Sequence, residues 1–278
     1  MYFFGKLHAF LLLGYLCGCM PIAEILRIPD VETEEASRKQ SLKIASISEA
    51  VGNYAAAIDI YLKLLSTDPT NEELLFRLAS SYLKAGVITE AADVFERLDK
   101  LDPDNKETQL ALGRINLSLF RPEIAKIYFE KANRLDPTDY KALSGLGITE
   151  DMAGNHEIAR SFFNEALVTS PDKRVIKNNM ALSYLMEGKF NTSIQLFNEI
   201  AFDGRSSQIM RQNLALAYGL AGDREAARRI SALDLDPEST EANLRYYELL
   251  RQLKNDVTIR RLLLGTSGPE TSLSEGSP

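Results

Sequence analysis

The residues best equipped for chemistry are two amide pairs, Asn178-Asn179 and Gln212-Asn213, and the chemistry they offer is recognition. A side-chain amide both donates and accepts, so two standing side by side can hold the backbone of an extended peptide. Asn179 and Asn213 are thirty-four residues apart. Leu182 and Leu185 follow the first pair at helical spacing, and Leu216 follows the second, so these leucines would take the peptide's apolar side chains. Arg211 stands directly before the second pair. A competing reading is that the amides satisfy a neighbouring helix and that Leu182 and Leu216 are partly core. Earlier in the chain, Phe76, Leu83, Leu110, Arg114 and Leu117 occupy equivalent places.

Catalysis finds little to work with. Outside the first nineteen residues His156 is the single histidine, and the chain has no tryptophan. His156 follows Gly154 by two residues, in the column that holds Tyr54 and Phe190, which reads as a planar ring packed at a turn. No carboxylates join it at metal-ligand spacing. No Gly-x-Ser-x-Gly elbow or phosphate loop occurs. No enzyme, cofactor or metal site is expected.

The elements that must position the amides are set by a strict period. Pro69, Pro103, Pro137 and Pro171 recur every thirty-four residues. Such a period over a helical, Pro- and Gly-punctuated sequence marks a two-helix repeat. Other columns fall into register. Small residues recur at Ala45, Ala79, Gly113, Gly147, Ala181 and Ala215, where two helix backbones must approach closely. Tyr82, Tyr184 and Tyr218 form an aromatic column three residues later. Breakers follow at Gly52, Gly86, Gly154, Gly188 and Gly222, where a helix must end in a left-handed residue. Phe120 departs from that column, and there Pro122 is expected to restart the next helix instead. Second helices carry Ala57, Ala91, Ala125 and Ala159, then Tyr61, Phe95, Phe129, Phe163 and Phe197. An i, i+4 pair shares a face, so small and aromatic residues pack there. Asp68-Pro69, Asp102-Pro103, Asp136-Pro137, Ser170-Pro171 and Asp236-Pro237 stop these helices. Arg205, in the loop Phe202-Asp203-Gly204-Arg205, replaces the fifth proline, and Pro237 comes two residues early. Both predict altered turns in the last third.

These columns resemble the tetratricopeptide repeat over residues 38–237. The resemblance implies an all-α, right-handed α-solenoid of about six repeats, with first helices lining a concave groove. Residues 238–255 read as a helix capping the open end, which a solenoid requires for solubility. Residues 256–278 have too few apolar side chains to pack and read as a disordered tail.

The first eighteen residues are of another kind. Lys6 is the one charge in a stretch whose apolar run, Ala9 to Leu16, is too short to cross a bilayer. It suits a cleaved signal. Leu16-Cys17-Gly18-Cys19 resembles the bacterial lipobox, which implies lipidation of Cys19 and a signal peptide over 1–18; residues 19–37, polar and holding Pro21 and Pro29, read as a flexible tether. Met20 after the cysteine is no inner-membrane retention signal, so an outer-membrane lipoprotein facing the periplasm is expected. Cys17 would leave with this leader and Cys19 would have no partner, so no disulfide can form in the mature chain. The net charge of −7 without a Lys/Arg block leaves no footprint for nucleic acid.

A closer resemblance rests on Lys177-Asn178-Asn179-Met180-Ala181-Leu182, on Arg211-Gln212-Asn213-Leu214-Ala215-Leu216 and on Ala242-Asn243-Leu244-Arg245-Tyr246-Tyr247. Together with the lipobox these are similar to the TadD family, tetratricopeptide lipoproteins of the Flp pilus (tight adherence) assembly system. The resemblance implies a non-enzymatic assembly factor that assists the secretin channel. A type IV pilus pilotin and a periplasmic scaffold for cell-wall enzymes are the alternatives.

Overall fold

The computed structural model describes residues 31–252. Among them run thirteen helices: α1 (Val31–Ala50), α2 (Tyr54–Leu65), α3 (Glu72–Lys84), α4 (Ile88–Leu101), α5 (Lys106–Ser118), α6 (Pro122–Leu135), α7 (Tyr140–Ala153), α8 (His156–Thr169), α9 (Lys173–Met186), α10 (Phe190–Ala201), α11 (Gln208–Ala221), α12 (Arg224–Ser231) and α13 (Pro237–Gln252). Consecutive helices pack on one another from α1 to α13, and the first helices α5, α7, α9 and α11 also touch in sequence. That is a solenoid of six helix pairs with one helix over its end.

Local chemistry sets each boundary. Asn71, Asn105 and Ser207 accept the N–H of the third residue beyond them, satisfying an orphan donor at the start of α3, α5 and α11. Asp102 and Asp136 are extended, as residues preceding proline must be, and end α4 and α6. The breaker glycines all have positive φ. Phe120 corrects the expectation for the third repeat: it takes φ 54° itself. Its backbone makes the same two bonds as the glycine turns, Phe120 N–H to Leu117 O and Arg121 N–H to Asn116 O, at 3.0 and 2.8 Å. The repeat therefore keeps its turn at the cost of about 1–2 kcal/mol for a left-handed L-residue. Pro122 is the first residue of α6, as well as and not instead of that turn.

Two boundaries differ from the sequence reading. α1 begins at Val31, inside the span read as a flexible tether. Acidic residues open this stretch, and Glu35 stands four residues before Lys39, a spacing that supports a helix. Pro237 does not stop a helix but starts α13, where its missing N–H is no loss. α12 is short, ending at Ser231, so the sixth repeat closes early. The loop 202–207 is held by Asp203, whose Oδ1 accepts from Arg205 N–H at 2.7 Å and from Arg174 Nη1 at 3.2 Å. The leader, Cys19 and residues 256–278 lie outside the described residues.

The core follows the array as four apolar clusters. A large one spans Ala45 to Ile115 and another Ala181 to Leu250; two smaller ones between them centre on Phe129 and Phe163. The five rings Tyr61, Phe95, Phe129, Phe163 and Phe197 are all fully buried. α7 explains the thin middle. A Cβ at Gly145 would fall 2.5 Å from the Phe129 ring, and one at Gly147 would fall 2.4 Å from the Phe163 ring. Both rings lie directly on the backbone of α7. At the far end Leu244, Tyr247 and Leu250 of α13 are buried and close the stack. At the near end Ile44 and Ile47 of α1, and Val51 just beyond it, stay exposed.

Charged side chains tie the repeats along their edge. Lys106 Nζ reaches Asp136 Oδ2 and Asp139 Oδ2, each at 2.8 Å. The Lys106 ammonium, with Thr138, holds the Asp136 carboxyl down to about 2.

Candidate peptide-binding groove

The amides come from α9 and α11, the first helices of the fifth and sixth repeats. The side-by-side pairing expected of Asn179 and Asn213 is not what forms. Asn179 Nδ2 donates to Ser144 Oγ on α7 at 3.1 Å, and Asn213 Nδ2 donates to Asn178 Oδ1 on α9 at 2.9 Å. Each bond spans thirty-five residues, one more than the period. Side chains on a helix lean toward its N-terminus, so a surface spot is covered from about one position further on. Asn179 and Asn213 are each only 8% exposed. They are staples between first helices, not a pair of free hands. Asn178 is half-buried, and its Nδ2 has no partner among the described residues.

The other candidates of this face are also spent. Leu182, Leu185 and Leu216 are buried in the cluster that runs from α9 to α13. Arg211 grips Asp234 with Nε and Nη2, at 2.9 and 2.5 Å from the two carboxylate oxygens. Gln212 donates to the same Asp234 at 3.3 Å. The short α12 brings the loop before α13 back onto α11, and these two side chains hold it. The earlier repeats keep more of the face open. Phe76, Leu83 and Leu117 are half-buried, with Phe76 set edge-on to Phe95 at 5.6 Å, whereas Leu110 is buried. Arg114 is half-buried, and its Nε, shut off from solvent, meets no acceptor. Burial pushes its guanidinium below the usual arginine range.

Sequence reasoning missed a buried polar cluster between the fourth and fifth repeats. Asp151 Oδ1 accepts from Ser183 Oγ at 2.7 Å and lies 2.8 Å from His156 Nδ1. Arg160 Nη1 approaches Ser183 Oγ at 3.3 Å, pairs with Glu187 at 2.7 Å and stacks 4.4 Å over the Tyr184 ring. Burial raises the Asp151 carboxyl, against the lowering effect of His156 and Ser183. The trio of Ser, His and Asp is not a hydrolytic site. In a nucleophilic triad the imidazole stands between hydroxyl and carboxylate, whereas here the fully buried Ser183 hydroxyl bonds the carboxylate itself. The open depression beside it, about 450 Å³ between Gly154, Asn155, His156, Glu157, Ile158 and Glu187, does not reach that hydroxyl. A sequence signal existed. Ser81 Oγ donates to Glu49 Oε1 at 2.7 Å, and like Ser183 and Asp151 those two are thirty-two residues apart. A serine on one first helix and an acid thirty-two residues earlier form a repeating tie.

Among the described residues no cluster of His, Cys, Asp and Glu could hold a metal, and no helix is long and apolar enough to cross a membrane. The tetratricopeptide repeat family matches residues 50–115 and again 107–139. No curated protein matches the sequence. Among solved structures, a tetratricopeptide repeat protein from Parabacteroides merdae is 19% identical with a TM-score of 0.65, covering 76% of this chain and 84% of its own. PilW, a type IV pilus biogenesis factor, is 20% identical with a TM-score of 0.64, covering 76% and 97%. PilF of Pseudomonas aeruginosa is 16% identical with a TM-score of 0.60, covering 77% and 98%. At these identities the likeness concerns the fold. With six helix pairs and a closing helix among the described residues, the matched repeats and these neighbours, the chain is an all-α solenoid of tetratricopeptide repeats.

Proposed function

We propose that this protein is a non-enzymatic scaffold of pilus assembly, a TadD-like lipoprotein that is anchored through Cys19 in the outer membrane and assists the secretin of an Flp (tight adherence) system. The observation that carries the reading is the combination of a tetratricopeptide solenoid with Leu16-Cys17-Gly18-Cys19 at its start. Such a solenoid presents a long surface built for protein segments. The likeness to PilW and PilF over nearly the whole of those two chains supports a place in pilus biogenesis. A lipid anchor concentrates scaffold and secretin on one surface, which strengthens their encounter without any new contact.

Affinity purification of the full chain from solubilised outer membranes tests this. Co-purification of a secretin is the expected result. Recovery of soluble cell-wall enzymes without a secretin would replace the reading by the periplasmic scaffold, and recovery of a type IV pilus secretin by the pilotin. The anchor has its own test. Cys19→Ser should abolish labelling by a fatty-acid analogue and release the chain from membranes, while far-UV circular dichroism stays helical. Persistent labelling of that variant disproves the assignment of Cys19.

A further inference from the structure

Phe120 is the turn residue most plainly out of place. The other five repeats put glycine at this turn, where φ is positive. A bulky side chain is strained there, and strain of this kind persists where a side chain serves more than the fold. The Phe120 ring is 41% exposed. Leu119 before it, and Ile124 and Ile127 on α6, are exposed as well. Ile158 of α8, thirty-four residues beyond Ile124, continues the stripe onto the next second helix at 51% exposed. Five large apolar side chains thus gather on second helices of the third and fourth repeats and on the turn before one of them. Such a patch, rimmed by charge, marks an interaction surface.

The same edge holds the receiving shape. One repeat further on, Gly154 stands where Phe120 does, and beside it opens the depression of about 450 Å³ that His156, Glu157 and Ile158 line. A cavity of about 150 Å³ accepts a benzene ring, so the depression has room for the Phe120 ring. Charge follows the shape. Arg121 is exposed next to the ring, and Glu157 is exposed in the wall of the depression. Neither has an ion pair among the described residues, whereas Lys126 and Glu187 beside them are already paired, with Glu150 and with Arg160. A protrusion and a hollow one repeat apart, with opposite charges at their sides, are self-complementary under a two-fold axis lying between them. We infer that two copies of this chain associate through the turn edge of the third and fourth repeats. Phe120 of each copy seats in the 154–158 depression of the other, and Arg121 pairs with Glu157 of the partner subunit. Leu119, Ile124, Ile127 and Ile158 surround the contact and exclude water from it. The first-helix face takes no part, so the dimer is independent of the proposed scaffold role.

Sedimentation equilibrium of the full chain in a density-matched detergent tests it. The patch is small, so a monomer–dimer equilibrium with a dissociation constant on the order of 10 μM is expected. Phe120→Gly should weaken association about a hundredfold or more, because a seated aromatic is lost twice per dimer. The same variant should keep its urea midpoint where wild type is monomeric, since glycine takes φ 54° without strain. Arg121→Glu and Glu157→Arg should each weaken association about tenfold. The double variant, with the charges exchanged, should recover it to within about threefold. Mixing the two single variants should recover it as well, which only a contact between copies can do. A wild-type chain that stays monomeric at about 1 mM overturns the inference. So do dimers indifferent to Phe120→Gly, and single variants that neither exchange nor mixing restores. Polymers in place of dimers also overturn it, because a two-fold contact closes on itself. Each of these results leaves the secretin test untouched.

Discussion

Phe163→Ala should destabilise the array by about 3–5 kcal/mol, the largest single loss expected from its apolar core. The ring is fully buried and sits on the backbone of α7, in space that Gly147 leaves open. Adding a methyl from the other side, Gly147→Ala, should itself cost about 1–3 kcal/mol, because the ring must shift within a packed core. The two changes must interact. In the double variant the new methyl enters the cavity left by the ring, so its cost should fall short of the summed single costs by about 1 kcal/mol. Urea denaturation followed by far-UV circular dichroism measures all three. Additivity within a few tenths would mean that ring and backbone are not in contact. The damage should also be local. A repeat contacts only its neighbours, and the clusters around Phe129 and Phe163 are small beside the two that flank them. Hydrogen exchange in Phe163→Ala should therefore speed up in α7 and α8 before α3 or α11 is affected.

The small and aromatic columns were legible in the sequence because each reports a constraint that every repeat meets. Ala45, Ala79, Ala181 and Ala215 are all fully buried, like the rings opposite them. Phe120 shows the limit of reading a turn by residue type. The backbone bonds that close the turn fix its geometry, and a wrong residue is tolerated at a price in strain. Asn179 and Asn213 show a second limit. The period correctly put amides of adjacent repeats together, but the lean of side chains along the helix moved each contact by one residue, and both amides were used internally. Arg211 and Gln212 are engaged within the chain for a different reason: the short α12 redirected the loop that they hold, and no residue of α11 itself announces that. Arg114 could be named from its column, yet its lack of a partner is a property of what surrounds it. Absence of a counter-ion is visible only in three dimensions.

Asp151→Ala should cost about 3 kcal/mol, as much as a core truncation, although only a carboxylate is lost. Asp151 is 2% exposed and is the common acceptor of the Ser183 hydroxyl and the near neighbour of His156 Nδ1. Its removal leaves the fully buried hydroxyl only the His156 carbonyl, a long 3.5 Å away, as acceptor, and a buried donor so poorly satisfied costs about 1–3 kcal/mol. Asp151→Asn separates the hydrogen bonds from the charge. The amide oxygen can still accept from Ser183, so the loss should be about 1 kcal/mol. The charge itself works against the fold at neutral pH. Burial dominates and raises the carboxyl above its ordinary value. The neutral acid is therefore favoured in the folded chain. Its contribution is fully present below the unfolded value and fades as pH rises through the folded one. Asp151→Asn should remove that fading, so its stability relative to wild type should improve as pH rises above 3.8. Chemical denaturation of both proteins across the acid range reads this directly. A parallel pair of curves would show that Asp151 keeps its ordinary carboxylate behaviour, with His156 and Arg160 outweighing the burial. Ser81 supplies the control. Its acceptor Glu49 is half-buried where Asp151 is buried, so Glu49→Ala should cost less than Asp151→Ala despite the same 2.7 Å bond.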